Sequence, residues 1–338
     1  MNKENEKKKF KLPIFKIVLS VIIIFLLIGI FVPVPYQVEM PGGTINLESR
    51  IIVDGEEPQI EGSFNMAYVA VIQGNLIYTL IGLVHPDWEV MKISDITAEN
   101  ETIDDSNKRD KIYLEQSKDF AVAAALNAAG IDYKQTNLEN NVMYVDPDAV
   151  TTLKIGDKVI SCEGEETKSL QDIKNKINEK DYGDIVHFKI IRNNKEMDAT
   201  GEVININDQK FIGLSIATTF DIDSDLKIDI KTKDSESGPS GGMMMALMVY
   251  NAVTKQDLTH GKKIVGTGTI SIDGTVGEIG GIKQKIMGAE KAKADIFLVP
   301  AENYDDAMAV KKDKNYNIEI VKVSTLQDAI DYLEGLDD

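Results

Sequence analysis

Cysteine is almost absent from this 338-residue chain: Cys162 stands alone, which excludes an internal disulfide framework and a thiolate zinc site. Histidine is nearly as scarce. His85, His187 and His260 lie far apart, and no His-Glu-x-x-His pair exists to hold a catalytic zinc. Each of the three reads as a surface or satisfied core residue rather than a ligand. The phosphate-binding loop Gly-x-x-x-x-Gly-Lys-Ser/Thr is also missing, since Gly261-Lys262-Lys263 lacks both the spacing and the hydroxyl. A net charge of −18 argues against a broad nucleic-acid interface, which needs clustered cations facing phosphates. No metal, cofactor, nucleotide or nucleic-acid partner is therefore expected.

One long apolar run is present, close to the start. Residues 1–16 hold six lysines and two glutamates, a local charge of +4 that leaves −22 on the remainder. From Ile17 to Val32 no charge interrupts, and Pro33-Val34-Pro35-Tyr36 extends the run to twenty positions. Twenty helical residues span about 30 Å, the thickness of a bilayer core. The basic flank predicts a cytoplasmic N-terminus and an exported body, so residues 1–36 are expected to form a tail and a single-pass anchor in the cell membrane. A cleaved signal peptide is the competing reading. It needs small residues after the apolar core, and Val32-Pro33-Val34-Pro35-Tyr36 supplies none.

The rest is long enough for two or three domains with real cores. Residues 37–112 read as strand-rich: Ile51-Ile52-Val53 before an Asp54-Gly55 turn, then Ala67 to Ile72, then Leu76 to Val84. The polar stretch 100–111 reads as a linker or loop. A helix is expected over 113–129, with Phe120, Ala121, Ala124, Ala125 and Ala128 at its apolar positions and Gly130 as its stop. Val142 to Val145, Lys158 to Ser161 and Ile185 to Arg192 read as strands around a Ser169 to Ile177 helix, closed by an Asn193-Asn194 turn. The run from Leu153 to Gly164, centred on Gly156-Asp157, resembles the signature segment of PDZ domains. This resemblance covers roughly residues 130–205 and implies a groove that takes an extended peptide as an added strand. With the leading helix, a PDZ-like domain is expected over 113–205.

Chemistry concentrates further along. Ser237-Gly238-Pro239-Ser240-Gly241-Gly242 stands between a strand-like Leu226 to Ile230 and an apolar helix from Met243 to Val253. Ser240 would then open a buried helix, whose first N–H groups lack intrahelical partners and carry positive partial charge. An oxyanion would be stabilised there. Two plainer readings compete: Ser240 as a helix cap, and Gly238-x-Ser240-x-Gly242 as the nucleophile elbow of an α/β-hydrolase. The elbow needs a downstream acid and then a histidine, yet only His260 follows, and Lys231-Thr232-Lys233-Asp234 is a poor preceding strand. A lysine can replace the histidine. One candidate is Lys283 in Gly280-Gly281-Ile282-Lys283-Gln284-Lys285, at the start of a helix running to Ala292 that follows a Thr267 to Ile279 hairpin turning at Asp273-Gly274. A lysine base requires apolar surroundings that favour its neutral form, which Ile279, Ile282 and Ile286 would offer. On the residues alone, a solvated helix-start lysine is the stronger reading.

Residues 206–338 resemble the proteolytic domain of the Lon family, in particular its membrane-anchored, ATP-independent branch that joins a PDZ domain to a Lon-type domain. The matching residues are Gly238-Pro239-Ser240, Leu258-Thr259-His260-Gly261-Lys262, Gly266-Thr267-Gly268-Thr269-Ile270, Asp273-Gly274, Val276-Gly277, Ile279-Gly280-Gly281-Ile282-Lys283 and Val299-Pro300-Ala301-Glu302-Asn303. Glu39-Met40-Pro41-Gly42-Gly43 and Glu61-Gly62-Ser63-Phe64 extend the similarity to nearly the whole chain. The resemblance implies Ser240 as nucleophile, Lys283 as general base, and Thr267 as a hydroxyl that helps hold the lysine amine. It also implies an extracellular serine endopeptidase acting without ATP on peptides or unfolded proteins. The ring-forming habit of Lon-type domains is consistent with a homo-oligomer. Two departures stand out: Ser237 replaces the usual Asp before Gly-Pro-Ser, and Gly241 replaces the usual Ala after it. A rival reading is a PDZ-based scaffold with an inert peptidase-like domain. The fold class expected overall is α/β in the broad α+β sense: a transmembrane helix, a strand-rich segment, a PDZ-like domain and a Lon-type domain.

Overall fold

The computed structural model describes residues 4–206 and 208–336, with side chains from Ile14 onward. Two compact units result, Met1–Pro41 with Val69–Ala98, and Gly42–Tyr68 with Glu99–Asp338. The region expected to be one strand-rich segment, 37–112, is thus divided between them.

The first part of the chain forms α1 (Glu4–Phe31), β1 (Pro33–Asn46), β2 (Ile51–Val53), β3 (Ser63–Asn75), α2 (Leu76–Val84), β4 (Glu89–Lys92), α3 (Ile93–Ile96) and α4 (Ile103–Ala129). The middle forms β5 (Lys134–Val145), β6 (Lys158–Cys162), β7 (Glu165–Glu166), α5 (Leu170–Asn178), β8 (Ile185–Arg192), β9 (Lys195–Glu202), β10 (Ile204–Ile206), β11 (Gln209–Phe211), β12 (Leu214–Asp223) and β13 (Ile228–Ile230). The last part forms α6 (Gly242–Thr254), β14 (Lys263–Gly266), β15 (Thr269–Ile270), β16 (Val276–Gly277), α7 (Ile282–Lys291), β17 (Ile296–Pro300), α8 (Tyr304–Lys314), β18 (Glu319–Val323) and α9 (Leu326–Glu334).

The apolar run is helical, and its segment Ile14–Phe31 has a mean hydropathy of 3.0. It stops at Phe31: Pro33-Val34-Pro35-Tyr36 begins β1 instead of extending the helix. Proline removes a helix donor and drives the residue before it toward extended backbone. Side chains of the basic tail up to Pro13 lie outside the described residues. Leu76–Val84, expected as a strand, is the helix α2. Asn75 starts it, its Oδ1 accepting the Tyr78 N–H at 2.8 Å. Residues 100–111, expected as a loop, largely belong to α4, which Thr102 and Asp105 open with a capping box. Its polar first turns are largely half-buried, with Arg109 paired to Glu101.

The expected helix 113–129 exists as the second half of α4, and Gly130 ends it in the left-handed region at φ 68°. Its partner differs from expectation. Ala121, Ala124, Ala125 and Leu126 are buried with Met243 to Val249 of α6, so α4 contributes to the core of the C-terminal part. A separate core, with Val142, Leu153, Val159, Ile173, Val186 and Phe188, lies in the sheet β12-β5-β6-β8-β9 and α5. There the fully buried Asp157 receives Nε and Nη2 of Arg192, each at 2.6 Å. The sheet also includes β12, beyond the expected boundary at 205, because β12 pairs with β5 in antiparallel register.

In the C-terminal part, β18, β17, β14 and β3 form a parallel array. Alternation along these strands divides the core. Ile264 and Leu298 face the cluster holding α6, whereas Val265, Phe297 and Val299 face the one holding residues of α7 and α8. The hairpin after β14 is real but looser than a two-residue turn, with Ser271 N–H donating to Thr275 O at 2.9 Å.

Asp119 on α4 accepts the Phe220 N–H of β12 at 3.0 Å, and burial pushes its carboxyl up to about 7 from an ordinary 3.8. An acid raised in the folded state stabilises fully below its unfolded value, and this contribution is lost as pH rises through about 7. Asp119→Asn keeps the acceptor without the charge. It is expected to raise the melting temperature at mildly alkaline pH and flatten the decline from about 4 to about 7, as read by thermal scans across pH.

Candidate active site

Met243 to Val249 are all buried, so α6 is enclosed by protein on every side through its first two turns. The loop entering it is held from two directions. From α4, Asp110 O accepts the Gly238 N–H at 2.9 Å, and Ser117 Oγ donates to Pro239 O at 3.1 Å. From the segment after β14, the Gly268 N–H and the Thr267 hydroxyl donate to the Ser240 carbonyl at 2.8 and 3.0 Å. Gly238 adopts φ 85°, which its lack of a Cβ permits.

These bonds determine which donors remain. The N–H of Gly242 binds Pro239 O and that of Met243 binds Gly268 O, both at 3.1 Å. Among the described residues, the N–H groups of Ser240 and Gly241 donate to no protein acceptor. They sit where helix α6 presents its positive end, beside a partly buried Ser240 side chain. This is the arrangement that stabilises an oxyanion formed by attack of the serine hydroxyl.

Lys283 lies on a helix that begins at the same end of the sheet as α6. α6 precedes β14 and α7 precedes β17, so each helix runs back against its strand and starts at the carboxyl end of the parallel array. The two helices occupy opposite faces, as the alternation of Ile264 and Val265 requires. Thr267 follows β14 directly and is 0% exposed. The approach to α7 is pinned by Asn303, whose side chain accepts the Ile279 N–H at 2.9 Å and donates to Ile279 O at 3.0 Å. Gly281 then enters the helix at φ 68°.

The structure brings Ser240 and Thr267 into direct hydrogen bonding and places Lys283, partly buried, in the first turn of α7. Thr267 uses its proton on Ser240 O, which leaves its lone pairs to accept from an amine. Of the two lysines in this turn, Lys285 is the more buried at 3% exposure. Both sequence departures have a setting here. A Cβ on Gly241 would come within 2.7 Å of the Met66 sulfur, so Met66 takes the space of the usual alanine methyl. Ser237 is exposed.

Ser117 and Asn303 were not found by motif. Ser117 had one legible signal, a small polar residue among the alanines of an apolar helix face. Asn303 lies in a stretch that carried the Lon resemblance, but its clamp on Ile279 joins residues 24 apart.

A concavity of about 760 Å³ lies beside the PDZ-like sheet. Leu170, Ile173 and Ile177 of α5 face Ile212, Leu214 and Ile216 across it. β12 is the end strand of that sheet, and α4 occupies part of its outer edge, where Gln116 Nε2 donates to Thr218 O at 3.0 Å and Asp119 accepts the Phe220 N–H.

A loop serine at the positive end of an enclosed helix, its carbonyl clamped by a threonine, with a lysine in the first turn of α7, is the candidate site. Comparison with known proteins gives the particular domains. Residues 214–334 match the model of the Lon protease C-terminal proteolytic domain, and residues 129–203 match that of the PDZ domain. The chain therefore carries a PDZ domain followed by a Lon-type proteolytic domain. It is 33% identical over 96 residues to the Lon protease of Campylobacter concisus, covering 28% of this chain and 12% of that protein. The Lon protease of Clostridioides difficile is 31% identical over 127 residues, 35% of this chain and 16% of that protein. The chain thus spans only about an eighth of the length of the first curated relatives it matches. Among solved structures, the PDZ domain of an SdrC-like protein from Listeria monocytogenes is 25% identical, covering 23% of this chain and 85% of that one, with a TM-score of 0.21. The corresponding domain from Listeria innocua is 27% identical, covering 23% and 92%, with a TM-score of 0.22.

Gly242 is the tightest point of the loop. A Cβ there would lie 2.6 Å from Ser117 Oγ and 2.7 Å from Ile270 Cγ2. Gly242→Ala is expected to cost about 1–3 kcal/mol through overpacking, measured by urea unfolding.

Proposed function

We propose that this protein is an ATP-independent serine endopeptidase, anchored in the cell membrane by α1 and cutting peptides or unfolded proteins outside it. The observation that carries the reading is the double clamp of the Ser240 carbonyl by Thr267 and Gly268, within residues that match a Lon-type proteolytic domain. In the proposed reaction Lys283, with its amine neutral, takes the Ser240 proton. Ser240 Oγ attacks the substrate carbonyl, and the N–H groups of Ser240 and Gly241 bind the oxyanion. The lysine ammonium then protonates the leaving amine, and water hydrolyses the acyl-enzyme. Thr267 orients the amine. The PDZ groove along β12 presents an extended substrate segment to the peptidase. The absence of a phosphate-binding loop from this sequence supports action on accessible chains without an unfolding motor.

The test is cleavage of casein by the full-length chain in detergent, with and without ATP. Cleavage is expected in both cases. Ser240→Ala and Lys283→Ala are each expected to lower it by about four orders of magnitude or more, and Lys283→Arg, a permanent cation, should not rescue it. Persisting cleavage in either alanine variant would remove the dyad. Complete dependence on added ATP would remove the motor-free reading. No cleavage of any peptide offered, with a folded chain, would favour the scaffold reading.

A further inference from the structure

The helix α2 has its amphipathicity inverted. Its nine residues, Leu-Ile-Tyr-Thr-Leu-Ile-Gly-Leu-Val, carry no charge, and only the two smallest, Thr79 and Gly82, are buried. The large side chains point outward: Leu80 is 54% exposed, Leu83 68% and Val84 82%. Tyr78 and Ile81 are also exposed. Gly82 explains the inward face, since a Cβ there would meet Val90 Cγ2 at 2.5 Å, leaving the helix seated closely on β4. A small-inward, large-outward helix is unstable against water, so something apolar must cover it.

Its neighbour identifies the cover. Asn75 caps both helices, its Oδ1 accepting from Tyr78 N and its Nδ2 donating to Ile30 O, each at 2.8 Å. Gly29 of α1 is buried where α2 touches it, with Ile77 Cγ1 3.1 Å from the place of its missing Cβ. The outward face of α2 is thus continuous with the end of a helix whose Ile14–Phe31 segment is otherwise exposed and apolar. At about 13 Å long, α2 cannot cross a bilayer. It can lie along one. Tyr78 stacks on Trp88 with ring centroids 6.2 Å apart, and His85 lies 5.1 Å from Trp88, an aromatic cluster of the kind that settles at headgroup depth.

We propose that α2 is an interfacial membrane helix, its outward apolar face lying among the acyl chains beside the end of α1. The inference rests on reading α1 as a membrane anchor. It adds a second contact that fixes the rotation of this unit about the anchor axis, which a single span cannot do.

Trp88 is the only tryptophan, so its fluorescence reads this site alone. The full chain would be reconstituted into phosphatidylcholine–phosphatidylglycerol vesicles whose acyl chains carry bromine either near the headgroup or near the chain end. Blue-shifted emission is expected, with stronger quenching by the shallow bromine than by the deep one. A Leu80→Gln, Leu83→Gln, Val84→Gln variant should lose most of that quenching while still floating with the vesicles, its folding confirmed by an unchanged thermal melt. Unquenched Trp88 in a parent chain that floats and resists alkaline extraction would overturn the proposal and leave the anchor intact. So would quenching unaltered in the folded variant, or an oligomer that the variant abolishes without lipid contact. A chain that does not float at all would overturn the anchor and this inference together.

Discussion

Two hydrogen bonds to one carbonyl oxygen organise the entrance of α6. Ser240 O accepts from Gly268 N–H and Thr267 Oγ, which ties the entrance of α6 to the carboxyl end of β14. Because α6 is enclosed by protein, it cannot shift to relieve strain at that point. The loop serine is therefore held by the core behind it and the strand beside it. Ser117, contributed by α4 from 122 residues earlier in the chain, closes the third side at Pro239.

The same constraint explains the use of small residues. Gly241 faces Met66, and Gly242 faces Ser117 and Ile270, at distances that no side chain would fit without displacement. At Gly241 a methionine sulfur from β3 fills the volume that a side chain would take. α4 links this region to the PDZ sheet as well, since it buries alanines beside α6 and also holds Phe220 of β12 through Asp119. The β12 sheet and the Ser240 loop thus share one structural support, α4.

Legibility varied with the kind of interaction. β6, β8, the end of β5 and α5 are readable because turn residues and caps are local: Asn193 and Asn194 take φ 51° and 59°, and Ser169 caps its helix. α2 reads as a strand because an all-apolar stretch carries no period, and its only helix signal is the cap at Asn75. The start of α4 reads as a loop because its charged residues hide the capping box of Thr102 and Asp105. The candidate Ser240 stands out by its glycines and the helix behind it. Lys283 was not separable from other helix-start lysines by local chemistry, and only the resemblance to Lon-type domains selected it.

By itself the sequence determined the apolar N-terminal helix, the order of PDZ and Lon-type domains, and the candidate serine, all properties of contiguous residues. Tertiary structure decided the rest. It assigned α4 to the core of the C-terminal part and carried the PDZ sheet past residue 205 to β12. It joined Thr267 to Ser240 and turned the large side chains of α2 outward. Each of these depends on contacts between segments distant in the chain, where packing volume and hydrogen-bond satisfaction, rather than local propensity, choose the partner.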